Sequence, residues 1–157
     1  MPEKWQETLV KLSPPNYGPV DSPVEALFCT VFDTCRDRLM IPADMRPITQ
    51  HRCGKYRIDF AVPCTLGWLA VEIDGHEFHE KTKDQASKDR ERERYLVSHG
   101  YRVIRFTGSD VWNNPFYCCR ETADQIHILT YGKSASAAAA EAARSAIAAL
   151  FEERWER

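Results

Sequence analysis

Apolar residues recur at Val24, Leu27, Phe28, Val31 and Phe32, the three-and-four spacing of one helical face. Ser22-Pro23-Val24-Glu25 opens that run with an N-cap serine, a proline at the first helical position and a glutamate three residues after the cap. The pattern predicts a helix from Ser22 that stops before Pro42. The period then changes to that of strands. Ile48–Arg52 and Tyr56–Val62 flank Cys53-Gly54-Lys55, a hairpin loop. Trp68–Ile73 is a mostly apolar run between Gly67 and Gly75, with Glu72 set into its end, and suits a central strand covered on both faces.

Residues 80–95, EKTKDQASKDRERERY, carry both signs of charge and neither proline nor glycine. They predict a helix from Asp84 to Ser98, ended by Gly100. Tyr101–Phe106 reads as a fourth strand, and Asn113-Asn114-Pro115 starts a helix running to Leu129. Ala135–Ala149 predicts a last helix, with Ile147, Leu150, Phe151 and Trp155 on one side. Residues 1–21, with four prolines and Gly18, form an N-terminal arm with a short turn near Trp5–Leu12. The expected organisation is that arm, a domain over 22–130 and an Ala-rich helical segment over 131–157. Helix, three strands, helix, strand is an αβββαβ order, an α/β fold with a mixed four-stranded sheet and extra helices at the C-terminal end.

Composition narrows the class without naming a function. Hydrophobic residues make up 43% and charged residues 28% of 157 positions, enough to build one ordinary globular domain. No run approaches the ~18 apolar residues that span a bilayer, and no export signal is visible, so a cytoplasmic protein is expected. The net charge of −2 argues against a protein that coats nucleic acid through its global charge, but not against local cationic patches. Six cysteines lack the paired short spacing of a zinc site and are expected to be reduced thiols used as small apolar residues.

Three acidic residues change this picture. Asp59 stands among apolar neighbours in Arg57-Ile58-Asp59-Phe60-Ala61-Val62, where both strand propensity and desolvation disfavour it. Val71-Glu72-Ile73-Asp74-Gly75 places two more carboxylates on one face at a strand end. Three carboxylates brought together repel one another unless a cation or a proton intervenes. Hard oxygen donors suit Mg²⁺ or Mn²⁺, which can polarise a phosphate and generate hydroxide. Strand-end acids also cap turns or pair with arginine, and that bland alternative accounts for any one of the three taken alone.

The ordered set Ile58-Asp59-Phe60, Val71 to His79, Lys88-Asp89-Arg90-Glu91-Arg92 and His99 to Phe106 resembles one family. It is the small nuclease-like domains related to the very-short-patch-repair endonucleases, within the restriction-endonuclease-like PD-(D/E)xK superfamily. The resemblance covers residues 22–128. It implies a restriction-endonuclease-like core and a metal-dependent endonuclease acting on DNA in repair, mobile-element or defence biology. Asp59 and Glu72 match the metal-binding pair, and Asp74 stands where the superfamily usually has lysine. That lysine's role passes to His79, Lys81, Lys83 or Lys88. Glu25 matches an acidic residue that can bind metal through water, although a capping-box glutamate needs no further reason to be there. His79 matches a histidine able to act in proton transfer. His76 has no counterpart and is expected to face solvent, and His51, His99 and His127 read as surface or helix-end residues.

Arg57, Arg102 and Arg105 alternate with apolar positions and are the better DNA-contact candidates, with Lys81, Lys83 and Lys88 beside them. Arg92, in Asp89-x-x-Arg92, is expected to pair internally. The Ile147–Trp155 stripe predicts packing on the domain, with homodimerisation as the alternative. The competing function is a DNA-binding module that kept the fold and lost cleavage, for which Asp74 in place of lysine is the main argument.

Overall fold

The computed structural model describes residues 17–75, 83–134, 137 and 140–145. Helix α1, Pro23–Cys35, starts as its sequence requires: the Ser22 hydroxyl oxygen accepts from the Glu25 amide at 3.2 Å and donates to Glu25 Oε1 at 2.8 Å. Strands β1 (Ile48–Cys53) and β2 (Tyr56–Cys64) form an antiparallel hairpin. Its turn needs Gly54, whose φ of 57° lies in the left-handed region and whose Cβ position is occupied by the Tyr95 hydroxyl. Strand β3 (Gly67–Asp74) continues antiparallel to β2. Helix α2 (Lys83–Ser98) then crosses over, and β4 (Tyr101–Thr107) returns parallel to β3. The sheet order is β1-β2-β3-β4, the mixed four-stranded sheet that the element order predicts.

The chain next differs from its sequence reading. A six-residue helix α3, Gly108–Asn113, lies between β4 and the longer α4, Pro115–Tyr131. Its cause is a capping box: Thr107 Oγ1 accepts from the Asp110 amide at 3.1 Å, and Asp110 Oδ2 accepts from the Thr107 amide at 2.9 Å. Asn114 then caps α4, with Pro115 at its first position and Gly132 in the left-handed conformation at its end.

The two faces of the sheet are covered differently. Phe60, Val62, Leu69 and Val71 pack with Phe28, Phe32, Cys118, Cys119 and Ile126 of α1 and α4. On the other face Ile58, Ala61 and Ala70 meet Leu96 and Tyr101 beneath α2. Two histidines leave their expected places. His127 is buried with Nε2 3.0 Å from the Leu39 carbonyl, and His51 is half-buried and stacked on Trp68. All six cysteines are free, and burial pushes Cys29 up to about 12 and Cys118 to about 11, as inert core thiols require. No helix among the described residues is long and apolar enough to cross a membrane. Residues 140–145 are helical, whereas the Ile147–Trp155 stripe and the turn near Trp5–Leu12 lie outside the described residues.

Candidate active site

Strands β2 and β3 pair from Cys64–Gly67 up to Phe60–Val71, and next to that last pair the Asp59 side chain takes a ladder role. Its Oδ2 accepts from the Ile73 amide at 2.8 Å. On the opposite edge of β2, Gln50 of β1 has a φ of 50°, a left-handed conformation costly for a residue with a side chain. That twist lets Gln50 Nε2 donate to Glu25 Oε2 at 2.9 Å, while Asp21 N donates to the same oxygen at 3.0 Å. Glu25 of α1 is thus tied to β1 as well as to its own cap. Gln50 carries a further buried oxygen, Oε1, without a hydrogen-bond partner.

Asp59 feels these neighbours. Burial raises its pKa, and the Glu25 charge adds to the rise. The Ile73 hydrogen bond and the charges of Arg92 and Arg57 oppose it. A carboxylate held against its own ionisation, beside a second one, is a mark of functional sites as well as of structural networks.

Glu72 is placed differently. It is 3% exposed and lies between two guanidinium groups. Arg92 Nη1 donates to Oε2 at 2.9 Å with Nη2 2.6 Å from Oε1, and Arg105 Nε donates to Oε2 at 2.9 Å. The Oε1 contact is one of charge without hydrogen-bond geometry, and Arg92 Nη2 donates to the Arg57 carbonyl at 2.5 Å. Arg92 therefore bridges α2, β3 and β2, the internal pairing that Asp89-x-x-Arg92 predicts. Burial works to lower the Arg105 pKa, but the hydrogen bond and charge of Glu72, then Glu93 and Asp74, raise it. Asp74 ends β3 opposite Thr107, within reach of the Arg105 charge.

Glu72 thus meets the demand for an intervening cation with the protein's own arginines, whereas Asp59 bonds to a backbone amide. Among the described residues no group of three or more His, Cys, Asp or Glu side chains is arranged to hold a metal ion. Asp59, with its penalised ionisation and the neighbouring Glu25 charge, fits a hard divalent cation. Glu72 as placed does not, since its charge is already matched by two guanidinium groups.

The other expected residues divide by location. Arg57 Nη2 is 2.6 Å from Asp21 Oδ2 on the surface, and Arg102 Nη1 donates to Gln125 at 2.9 Å. Arg105 is committed to Glu72 and Glu93. Lys88 is exposed on α2, and Lys83 is the first residue of that helix. His76, His79 and Lys81 lie outside the described residues. Sequence reasoning missed Gln50 and the part Arg105 plays. A glutamine in a short strand carries no pattern that marks a left-handed kink. Arg105 could be matched to Glu72 only through the parallel register that sets them opposite each other.

A family model of restriction-endonuclease-like proteins, REase_MTES_1575, matches residues 36–126. The matched segment contains Asp59, Glu72, Asp74, Arg92 and Arg105 and begins after Glu25. No curated protein and no solved structure matches the chain.

Proposed function

The chain belongs to the restriction-endonuclease-like family whose model covers more than half of it, and from that premise we propose a metal-dependent endonuclease that hydrolyses phosphodiester bonds in DNA. The observation that carries the proposal is Asp59: a half-buried carboxylate at the point where β2 and β3 exchange a ladder bond for a side-chain bond, with burial and the Glu25 charge disfavouring its ionised form. The relation to PD-(D/E)xK repair endonucleases is part of the same reading.

Asp59 and Asp74 are the residues that would hold Mg²⁺ or Mn²⁺, with Glu25 near enough to influence Asp59. The bound ion supplies Lewis-acid polarisation of the phosphate and a water of lowered pKa. Glu72, on the same strand as Asp74, holds Arg92 and Arg105, and a phosphate would reach these guanidinium groups only by competing with Glu72. His79 is the residue proposed to transfer a proton, and Lys81, Lys83 and Lys88 to meet the backbone, with Arg57 and Arg102 at the rim. Surface contacts such as Arg57–Asp21 are weak enough to exchange for a phosphate.

A second reading has one observation in its favour. Glu72, which matches the family's metal-binding pair, is neutralised by arginine, as suits a DNA-binding module that no longer cuts. Incubation of the protein with plasmid and oligonucleotide DNA, in Mg²⁺, Mn²⁺ or EDTA, tests both. Cleavage that needs the ion and is lost in Asp59→Asn supports the nuclease. Binding without cleavage under every condition supports the module. Cleavage that persists in Asp59→Asn removes the proposed site.

A further inference from the structure

Three large aromatic side chains stand in solvent within six residues of sequence: Trp112 at 61%, Phe116 at 63% and Tyr117 at 45% exposure. Neither Asn114 as cap nor Pro115 at the first helical position requires aromatic neighbours, and water penalises them there. Phe116 and Tyr117 border a cleft of about 390 Å³ between α4 and the turn after α1, with Arg38, Leu39, Asn114 and Arg120 on its other sides. The volume is that of a small-ligand site. Two guanidinium groups line it and no carboxylate does, in contrast to the shallow groove of α2, where Glu93 sits between Arg90 and Arg94. Arg120 lies 5.4 Å from the Tyr117 ring centre, a cation already seated over an aromatic face.

We propose that this cleft binds single-stranded nucleic acid, stacking unpaired bases on Phe116 and Tyr117 and meeting phosphates with Arg38 and Arg120. The inference rests on the nucleic-acid reading of the domain. Exposed rings interleaved with cations are the chemistry by which proteins hold unpaired strands, because every base offers a face to stack and every nucleotide a charge to pair. Position supports the assignment. α3 begins at Gly108, where an added Cβ would lie 3.5 Å from the Asp74 carbonyl, and its six residues span only ~9 Å before Asn114. A strand with a phosphate at the carboxylates could therefore lay its next few bases in the cleft. A frayed or displaced strand beside the cut is the occupant that fits.

The test uses fluorescence anisotropy of a labelled oligodeoxythymidylate in EDTA, which separates binding from any cleavage. Phe116→Ala with Tyr117→Ala should weaken binding by at least about 10-fold, since each stacked base contributes that order. Arg38→Ala with Arg120→Ala should flatten the slope of log affinity against log salt by about 1.4, the loss of two phosphate contacts on a single strand. A purely structural role would not move that slope. Circular dichroism and the Mg²⁺-induced rise in Tm check that each variant is folded with the carboxylate site intact. Unchanged affinity and slope in folded variants would overturn the proposal. So would sedimentation showing that the wild type is a dimer dissociated by the aromatic substitutions, because the face would then belong to a second copy. A wild type that binds the oligonucleotide but never cuts DNA leaves the cleft standing and removes the nuclease instead. A wild type that cuts plasmid while the variants bind single strands normally does the reverse.

Discussion

The two faces of the sheet solve the same packing problem with different chemistry. Under α1 and α4 the contact is almost wholly apolar, with Phe28 5.2 Å from Phe60 and 5.8 Å from Phe32, ring centre to ring centre. Under α2 the apolar contact is small, and of that charge-dense helix Leu96 alone is fully buried among the described residues. Much of the remaining attachment is polar, led by Arg92, which reaches Glu72 and the Arg57 carbonyl. Dispersion and burial on the first face are indifferent to pH and ligands. Charge pairing on the second responds to both. The first face therefore sets stability, and the second is where the proposed ion or phosphate would meet contacts the fold already makes.

Breaking the apolar face should have the largest effect. Phe28→Ala removes a fully buried ring from the centre of the larger cluster and should cost about 3–5 kcal/mol, read by urea denaturation. A loss below about 1 kcal/mol would mean that this face is not the main support.

Arg92→Ala comes next. Glu72 keeps Arg105 as a partner, so the expected loss is about 1.5–3 kcal/mol rather than that of a fully orphaned buried charge. A double-mutant cycle with Glu72→Gln should return a coupling of similar size. Additive losses would show that Arg92 acts through the Arg57 carbonyl instead.

Asp59 should behave in the opposite sense and more weakly. Burial, reinforced by Glu25, holds its carboxyl above the ordinary value of 3.8, so the folded protein gains its proton before the unfolded chain as pH falls. Its contribution is then most favourable in acid and is lost as pH rises through the folded value. The ionised form is the one that burial penalises in the folded protein. Asp59→Asn, which still offers an oxygen to the Ile73 amide, should raise Tm slightly at pH 7, and the gain should vanish in acid below 3.8. Mg²⁺ should raise the wild-type Tm by mass action and leave the variant unmoved. A lower Tm in the variant at pH 7 would place Asp59 among the structural residues.

The smallest effect belongs to Lys55→Ala. The Lys55–Glu91 pair also ties α2 to the sheet, through the β1–β2 turn, but both side chains are more than half exposed. Its removal should leave Tm unchanged within error. A clear drop would extend the charge-dependent face to the surface.

Most of the legible signals have partners within a few residues. Ser22 and Glu25 close a cap across one turn, Gly54 turns a hairpin, and Asn114-Pro115 starts α4. The Thr107-x-x-Asp110 box is equally local, but the helix it opens is only six residues long and has no extended period to mark it. The Gln50 kink had no local mark at all, since glutamine is neither small nor a turn former.

By itself, the sequence determined the order of the αβββαβ core, the central apolar strand, and the need for positive charge beside Glu72 and Asp74. Those follow from capping, periodicity and the repulsion of like charges, and each needs only neighbours along the chain. Tertiary structure alone decided which charge answers which. The parallel register of β3 and β4 brings Arg105 to Glu72, and the α2 crossover brings Arg92 there. Where the β2–β3 ladder stops at Phe60–Val71, Asp59 is left to the Ile73 amide and the Glu25 charge. Electrostatic partners are chosen by distance through space, and these distances exist only once strands 33 residues apart lie side by side.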